Sequence, residues 1–475
     1  MDHQVFVRRG ETVGEKEVLK ALRDIVGKER ILIEEVDLVP YSRDANVKGL
    51  LPLAVVFPKT TEEVKEIVKV AMRDRVPLFP RGSGTGMTGG AVPTEKGIVV
   101  CTVEMNQIKE ISWEDGLAVV EPGVINERLQ REAVRHGLFF PPDPSSYMYS
   151  TIGGNVAENA GGPRAVRYGV TRDYVLGLEV VIGTGEVLRT GTRAVKDVVG
   201  YDLTGLLVGS EGTLGIFTEI TLKLLPLPEA WGTVLGFFSS MEGALKAVLG
   251  LFERHLLPSA IEFMDGPSIR CARAFLGVDM PEAEALLIVE LGGDTKVLQE
   301  ETKKVQEVFE HRGAIDVVYA RDFQQSEGIW RIRRCLSQAS YALGPVKVNE
   351  DVVVPRGKLP FAVEEIHRIA ERNKVHVLCF GHVGDGNIHV NFMVGHSEEE
   401  RERAEKAVEE LFELVVSLGG SLSGEHGVGV SKLPYIQKQL SPTSLRLMAD
   451  IKKAFDPLGI LNPGKGIRSI LEHHF

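Results

Sequence analysis

The sequence predicts an α+β fold with two main domains, the second of which holds an antiparallel sheet. Short apolar runs alternate with amphipathic helices along the first half of the chain, and four glycine-rich stretches lie in that half and near the end. Between residues 229 and 379 such stretches are absent, and helices and strands with continuous apolar faces alternate. The 475 residues, 43% of them hydrophobic and 25% charged, suit a globular protein of two or three domains.

The composition also excludes several classes of function. A formal net charge of −11 argues against general nucleic-acid binding, which needs a basic face. No apolar run approaches the roughly 20 residues that cross a bilayer, and the mixed charges of the first residues predict no secretory signal. The four cysteines are far apart, which predicts reduced thiols in a cytoplasmic protein and no iron–sulfur cluster held by this chain alone.

Elements of the first half are predicted from apolar spacing and from glycine and proline breaks. A strand–helix–strand unit delivers the first glycine-rich stretch at the C-terminal end of a strand, where open α/β layers bind ligands. We expect the helix over 124–136 to turn Leu129 and Val134 inward. The predicted elements are a helix over 12–30, a strand over 54–57, a helix over 62–75, strands over 76–79, 98–100 and 117–120, a helix over 124–136, a hairpin over 175–190 and a strand over 220–225.

Pro226 and Pro228 mark the boundary to the second half. There the order strand–helix–strand–strand–helix–strand predicts an α+β sandwich around an antiparallel sheet. The elements on which this depends are a strand over 233–238, a helix over 241–255, a strand over 285–291, a helix over 295–312 and a charged helix over 397–416.

The four glycine-rich stretches span residues 80–93, 150–162, 209–216 and 462–466, and are called the first to fourth stretches below. Five glycines in the first stretch leave backbone N–H groups unshielded and able to surround an anion. The alternative is a flexible surface loop, because the stretch lacks the Gly-Lys-Ser/Thr ending of a nucleoside-triphosphate loop. All four together exceed what one mononucleotide needs, which favours a large dinucleotide cofactor, a flavin more than a nicotinamide one.

A second group of residues could bind a metal. A Gly-Asp-Gly-Asn turn separates His382 from His389, so a hairpin could bring the two imidazoles together, and Asn391 shares one strand face with His389. Glu425 and His426 add an acid and a third imidazole. Two histidines with one carboxylate form a recurrent divalent-metal set with open positions, although the pattern fits three unrelated polar residues near turns equally well.

Residues Pro80–Pro93, Pro142–Pro144, Thr151–Gly162 and Gly209–Ile216 resemble the flavin-binding motifs of the vanillyl-alcohol oxidase / p-cresol methylhydroxylase (PCMH) superfamily. From about Glu34 to Ile467 the chain resembles the branch that contains bacterial glycolate oxidases, D-lactate dehydrogenases and D-2-hydroxyglutarate dehydrogenase. The resemblance implies a two-subdomain, PCMH-type flavin-binding domain and a C-terminal α+β cap domain with an antiparallel sheet. The implied boundaries are an N-terminal helical extension over 1–48, an FAD-binding domain over 49–228, a substrate or cap domain over 229–418 and a segment over 419–475 that returns to the flavin domain.

The resemblance implies FAD as the cofactor. Some relatives attach FAD through a histidine in the first stretch, and none occurs between Phe79 and Pro93, so we expect non-covalent FAD. The residues implied to hold it are Pro80, Arg81, Gly82, Ser83, Gly84, Thr85, Gly86, Thr88, Gly89, Pro142, Asp143, Thr151, Gly153, Gly154, Asn155, Asn159, Gly161, Glu211, Gly212, Gly215, Ile216 and Asn462.

The same resemblance assigns roles in a hydroxy-acid site. His382, His389 and Glu425 match ligands of one divalent metal, Zn, Fe or Mn. Arg333 matches the arginine that binds the substrate carboxylate, with Arg334 as the alternative, and His426 matches the proposed catalytic base. The other substrate-contacting positions implied are Ser337, Asn391, and Lys347 or Asn349, which lie near the place of the relatives' substrate lysine.

The expected reaction is oxidation of a small D-2-hydroxy acid, D-lactate or glycolate, to its 2-oxo acid. D-2-hydroxyglutarate is an alternative substrate, and the route can be hydride transfer from C2 or proton removal from C2 by His426. We expect the electrons to pass to a quinone, an iron–sulfur subunit or an electron-transferring flavoprotein, with the chain cytoplasmic or peripheral to a membrane through that partner. Two other classes fit the residues: a non-redox flavoenzyme like alkylglycerone-phosphate synthase, and a metal-only hydrolase.

Overall fold

A computed structural model describes residues 13–320 and 322–466. Residue 12, where the first predicted helix starts, and residues 467–475, at the end of the predicted last segment, lie outside the described residues. The elements of the first half are α1 Val13–Val26, β1 Ile31–Leu32, α2 Glu35–Leu38, β2 Ala54–Val56, α3 Thr61–Asp74, β3 Leu78–Arg81, β4 Ile98–Cys101, β5 Ile108–Ser112, β6 Leu117–Val120, α4 Asn126–Arg135, β7 Leu138–Phe139, α5 Ile152–Glu158, α6 Ala165–Tyr168, β8 Val175–Val181, β9 Val187–Gly191, α7 Leu203–Leu207, β10 Ile216–Lys223 and β11 Leu225–Pro226.

Two larger sheets and the short antiparallel pair β11-β7 contain the strands of the first half. One has the order β1-β2-β4-β3, in which β2, β4 and β3 are parallel, and α1 and α3 pack together against it. The other is antiparallel with the order β5-β6-β10-β8-β9. The first glycine-rich stretch leaves β3 and the third leads into β10. The two stretches approach each other, because a Cβ at Gly212 would lie 3.1 Å from the ring of Pro80.

The second half forms one large sheet. Seven antiparallel strands are ordered β15-β12-β14-β13-β17-β18-β16. The elements are β12 Ala230–Phe238, α8 Met241–Glu253, β13 Ala260–Asp265, α9 Gly266–Leu276, β14 Ala285–Gly293, α10 Thr295–His311, β15 Ala314–Tyr319, α11 Phe323–Arg334, α12 Leu336–Ala339, β16 Val346–Val353, α13 Leu359–Asn373, β17 His376–His382, β18 Asn387–Val394, α14 Glu398–Ser417 and α15 Pro442–Phe455. The predicted α+β class, with an antiparallel sheet in the C-terminal domain, is confirmed.

Residue alternation gives this sheet two different faces. Odd-numbered residues of β13 and β14, such as Ile261 and Leu287, join α8, α10, α13 and α14 in the main core cluster. Even-numbered residues such as Met264 and Ile288 pack against α9, α11 and α12. Glu262 and Glu290 also lie on this second face, outside the apolar cluster that packs against α9, α11 and α12. The polar part of one sheet face is thus available to the flavin domain.

Two predictions about single elements are wrong. Val134 is about half exposed, because α4 buries Leu129 and Ala133, which are four residues apart on one face, and Val134 lies beside that face. The predicted strand–helix–strand–strand order misses α9, which follows β13 directly. Asp265 caps α9 by accepting from the backbone N–H of Ser268, and a proline lies in its first turn. These residues also favour turns, which hides the helix in the sequence.

None of the helices within residues 13–320 and 322–466 combines the length and the apolarity needed to cross a bilayer.

Candidate active site

A hairpin and a loop bring the three predicted metal ligands together. β17 ends at His382, and β18 returns with His389 beside it. His382 Nε2 lies 3.2 Å and His389 Nε2 lies 3.3 Å from Glu425 Oε1, and the two Nε2 atoms are 3.4 Å apart. Three potential ligand atoms therefore converge from two strands and one loop.

The charges of this triad suit a divalent cation. Burial lowers the pKa of His389 to about 3, so its imidazole is neutral and offers a lone pair. Burial also opposes charge on His382, but Glu262 and Glu425 outweigh it and raise the pKa of His382 well above its usual value. A cation would therefore displace a proton from His382. Two imidazoles and a carboxylate fit Zn, Fe or Mn and leave coordination positions open.

A buried aspartate shapes the loop that carries Glu425 and His426. Asp351 Oδ2 accepts hydrogen bonds from the backbone N–H groups of Gly424 at 2.9 Å, Glu425 at 2.8 Å and His426 at 3.0 Å. Asp351 is wholly buried and lies opposite His389 on the neighbouring strand. One carboxylate thus fixes this loop against the hairpin.

The predicted substrate arginine is held by another buried carboxylate. Arg333 Nε donates to Glu262 Oε2 at 2.5 Å, and its guanidinium lies over the Phe380 ring. The bond engages Nε rather than the Nη pair, which is the planar fork that binds a carboxylate. Arg334, the alternative, pairs instead with Glu327 on the surface.

Glu262 contacts His382 as well. Its Oε1 lies 2.5 Å from His382 Nδ1. Burial would raise the pKa of Glu262, but the charges of His382 and Arg333 outweigh burial and lower it to about 2. Glu262 therefore remains a carboxylate between a predicted metal ligand and a predicted substrate ligand.

A cavity of about 200 Å³ lies between the edge strand β16 and the first stretch. Lys347, Asn349 and His426 line it from one side, and Met87 and Thr88 line it from the other. The cavity therefore lies between the two domains, with three of the predicted substrate-contacting residues in its wall.

The predicted substrate residues also contact one another. Lys347 Nζ donates to Ser337 Oγ at 2.9 Å, and burial lowers the pKa of Lys347. Asn349 Nδ2 donates to Asn391 Oδ1 at 2.7 Å. The His426 ring stacks on His389 with centroids 5.5 Å apart. These contacts extend the polar site from the triad to the cavity.

The first and second glycine-rich stretches touch closely. A Cβ at Gly82 would lie 2.2 Å from Thr151 Oγ1, and one at Gly162 would lie 2.6 Å from the carbonyl oxygen of Asp143. The second stretch contains α5, and Thr151 caps it by accepting from the backbone N–H of Gly154. Only glycine permits these approaches, so the stretches form a narrow cradle with helix N–H groups at one end.

The polar atoms of this cradle fit a large polar cofactor. Several of its side chains have buried nitrogen or oxygen atoms without a hydrogen-bond partner within the described residues. Such atoms are rare in proteins because each costs about 1–3 kcal/mol. The atoms are Arg81 Nη1, Ser150 Oγ, Asn155 Nδ2, Glu158 Oε2 and Ser210 Oγ, from the first three stretches. Donors and acceptors at these positions suit the phosphates, hydroxyls and ring edges of FAD.

Two predicted cofactor residues instead tie the last segment to the flavin domain. Glu211 accepts from the backbone N–H groups of Val428 at 2.8 Å and Gly429 at 2.7 Å. Asn462 Nδ2 donates to the carbonyl oxygens of Gly90 at 2.9 Å and Glu211 at 2.6 Å. The last segment thus returns to the flavin domain, and direct contacts of these two side chains with FAD stay a prediction.

Pro80, Asn159 and Asp143 are three other predicted cofactor residues that lie in or next to these stretches. Pro80 packs against the third stretch, where a Cβ at Gly212 would lie 3.1 Å from its ring. Asn159 ends α5 in the left-handed conformation, with φ 52°. Asp143 is close to Arg164, and burial raises the pKa of Asp143 to about 7. Their individual roles stay predictions.

Sequence reasoning missed Glu262 and Asp351. Glu262 is an acid between apolar residues of the strand Ala260–Asp265, and Asp351 is an acid followed by valines in the more polar strand Val346–Val353. Acidic side chains are almost never fully buried unless they are paired. That pattern was the available signal, but it does not identify the partners, which lie far away in the sequence.

Comparisons with known proteins identify the family of this chain. Residues 227–466 match the family model of FAD linked oxidases, C-terminal domain, and residues 52–191 match that of the FAD binding domain. The chain is 40% identical to the glycolate oxidase subunit GlcD of Bacillus subtilis, over 95% of this chain and 96% of that protein. It is 34% identical to a D-lactate dehydrogenase of Anaerostipes hadrus, over 94% and 97%.

A solved structure shows the same fold. The structure of p-cresol methylhydroxylase with substrate bound matches with a TM-score of 0.80 and 20% identity, covering 96% of this chain and 97% of that one. The PCMH-type fold that the resemblance implies is therefore confirmed. With one family model over half of the chain and close relatives over nearly all of it, the chain belongs to the FAD-linked oxidases.

Proposed function

We propose that this protein oxidises a small D-2-hydroxy acid, D-lactate or glycolate, to the 2-oxo acid with non-covalent FAD and one divalent metal. The observation that carries the proposal is the arrangement on one sheet face. The triad of buried His382 and His389 with partly buried Glu425 lies between Glu262-bound Arg333 and the ring of His426. The names of the relatives, a glycolate oxidase subunit and D-lactate dehydrogenases, support the same substrate class.

Each polar residue of the site has its own role in the proposed reaction. The Nη pair of Arg333 holds the substrate carboxylate. His426 removes the proton of the 2-hydroxyl, since its imidazole lines the cavity and stacks on His389 of the triad. Lys347 and Asn391 orient the acid. His382, His389 and Glu425 would hold a metal that would supply Lewis-acid polarisation of the hydroxyl, and FAD in the cradle would supply a hydride acceptor for C2.

The cavity supports a small substrate. Its volume is about 200 Å³, and Lys432 and Glu350 close its inner wall together with Asn349. Lys432 Nζ donates to backbone carbonyls of Asp351 and Leu422, so it is part of the framework. A small, polar hydroxy acid therefore fits the cavity.

An anaerobic substrate panel tests the proposed function. We expect the flavin absorbance to bleach with D-lactate or glycolate, and much less with L-lactate or D-2-hydroxyglutarate. Removal of the metal with a chelator should abolish bleaching while FAD stays bound, and added Zn²⁺ or Mn²⁺ should restore it. Protein with full FAD and metal that bleaches with none of these acids would contradict the proposal and favour a non-redox flavoenzyme.

We also propose that the electrons leave to a quinone or a partner protein, either an iron–sulfur subunit or an electron-transferring flavoprotein. The four cysteines are buried at scattered positions, and relatives of this chain are named as subunits. We propose that the protein is cytoplasmic, and that a membrane-bound partner would hold it peripherally at a membrane.

Oxygen consumption tests the need for an acceptor. We expect the isolated chain to turn over slowly in air with its substrate, and quickly when an artificial electron acceptor such as a soluble quinone is added. Rapid formation of hydrogen peroxide by the isolated chain, unchanged by the quinone, would show that oxygen itself is the acceptor.

A further inference from the structure

Glu262 is a fully buried acid on the central strand β13. Its neighbours Ile261 and Phe263 point into the main core cluster, so Glu262 points to the opposite, site-facing side of the sheet. An unpaired carboxylate at this depth is strongly unfavourable. The reason for its presence must therefore lie in its partners.

Each carboxylate oxygen of Glu262 has a different partner. Oε1 lies 2.5 Å from His382 Nδ1, and Oε2 accepts from Arg333 Nε at 2.5 Å. The side chain of His382 is 3% exposed and that of Arg333 11%, so both contacts are shielded from water. Shielded, charge-assisted hydrogen bonds are the ones that fix geometry.

Each contact decides which atoms its partner presents. A proton on His382 Nδ1 leaves the lone pair on Nε2, the atom that lies beside Glu425 and His389. A carboxylate behind a histidine is the usual device that orients a metal ligand. The contact with Arg333 Nε likewise holds the guanidinium plane and presents its Nη pair.

We propose that Glu262 is a positioning residue that joins the two halves of the hydroxy-acid site. Through Oε1 it sets His382 for the metal, and through Oε2 it sets Arg333 for the substrate carboxylate, so one side chain keeps both at a fixed separation. This inference rests on the proposed function. A merely structural ion pair is the alternative.

Glu262→Gln tests the inference, because an amide of the same shape cannot accept from both partners. We expect the affinity for Co²⁺, followed by its visible absorption in apo-protein, to fall by about 10- to 100-fold. We expect KM for the hydroxy acid to rise by a similar factor while bound FAD per chain stays unchanged. A structural ion pair alone would lower thermal stability but leave Co²⁺ affinity and KM near wild type in the folded protein.

A matched control and a double mutant separate the explanations. Glu179→Gln also changes a buried carboxylate bonded to an arginine, Arg189, but in the sheet of the flavin domain. It should leave Co²⁺ affinity and KM unchanged.

Arg333→Lys should raise KM and leave Co²⁺ affinity unchanged. Adding Glu262→Gln to Arg333→Lys should raise KM little further, because the two residues act through one contact. Fully additive effects on KM would overturn the link from Glu262 to Arg333.

The wild-type protein gives a test that needs no variant to fold. In Zn²⁺-loaded protein with ¹⁵N-labelled histidine, His382 should show a protonated, strongly hydrogen-bonded Nδ1. A protonated Nε2 on His382 would overturn the inference about positioning. If wild type binds neither Zn²⁺ nor Co²⁺ and no acid bleaches its flavin, the proposed function fails instead, so the two failures can be told apart.

Discussion

Replacing Asp351 by alanine is expected to abolish metal binding and substrate oxidation together. Three backbone N–H groups, those of Gly424, Glu425 and His426, would lose their common acceptor. Each buried N–H left without a partner costs about 1–3 kcal/mol, so we expect the free energy of unfolding to fall by several kcal/mol. Activity should fall further, because the same loop carries a metal ligand and the proposed base.

Metal per folded chain, urea unfolding and anaerobic flavin reduction measure this effect. Asp351→Asn keeps an acceptor oxygen and should lose less of all three. Asp265→Ala is the matched control, since Asp265 is a buried acceptor for the backbone N–H groups of Ser268 and Cys379 in the same sheet. It should lower stability but spare metal content. Folded Asp351→Ala protein with full metal and normal flavin reduction would contradict the role given to this carboxylate.

Replacing His426 by alanine is expected to slow flavin reduction by about 10²- to 10⁴-fold, the usual contribution of a general base. FAD and metal should stay bound, because the loop is held through the backbone of His426 rather than through its ring. Stopped-flow measurement of flavin bleaching under anaerobic conditions, with the hydroxy acid in excess, gives this rate directly.

His396→Ala is the control for His426, since His396 is an exposed histidine before α14. It should reduce flavin at the wild-type rate. Small amines or imidazole added to the His426→Ala protein should restore part of the lost rate if the missing group is a base. A His426→Ala protein that reduces flavin as fast as wild type would place the base elsewhere in the cavity.

Much of the site could be predicted because its signals are local. Dense glycine marks a stretch that must approach other atoms closely, as Gly82 approaches Thr151. The turn between His382 and His389 indicates a hairpin, and the strands do pair there. Glu425 lies much later in the chain, so the residues alone fit a metal set and three unrelated polar residues equally well, and the resemblance to a family favoured the metal set.

The rest could not be predicted because it depends on distant partners. Glu262 and His382 are 120 residues apart, and Asp351 lies 74 residues from the N–H group of Glu425. Strand spacing shows which face such an acid points to but not what meets it there. The error at Val134 has a local origin instead, since the short helix α4 buries only one face and Val134 lies beside it.

The fourth stretch completes a domain that the first half of the chain starts. Lys465 contacts the carbonyl oxygen of Val92, 373 residues away, and Asn462 reaches Gly90, 372 residues away. Contacts of such long sequence separation form late in folding. During synthesis on the ribosome, the N-terminal domain therefore remains unfinished until the fourth stretch emerges. Stable cofactor incorporation should accordingly await this stretch, and a chain truncated before it should yield a colourless, protease-sensitive product.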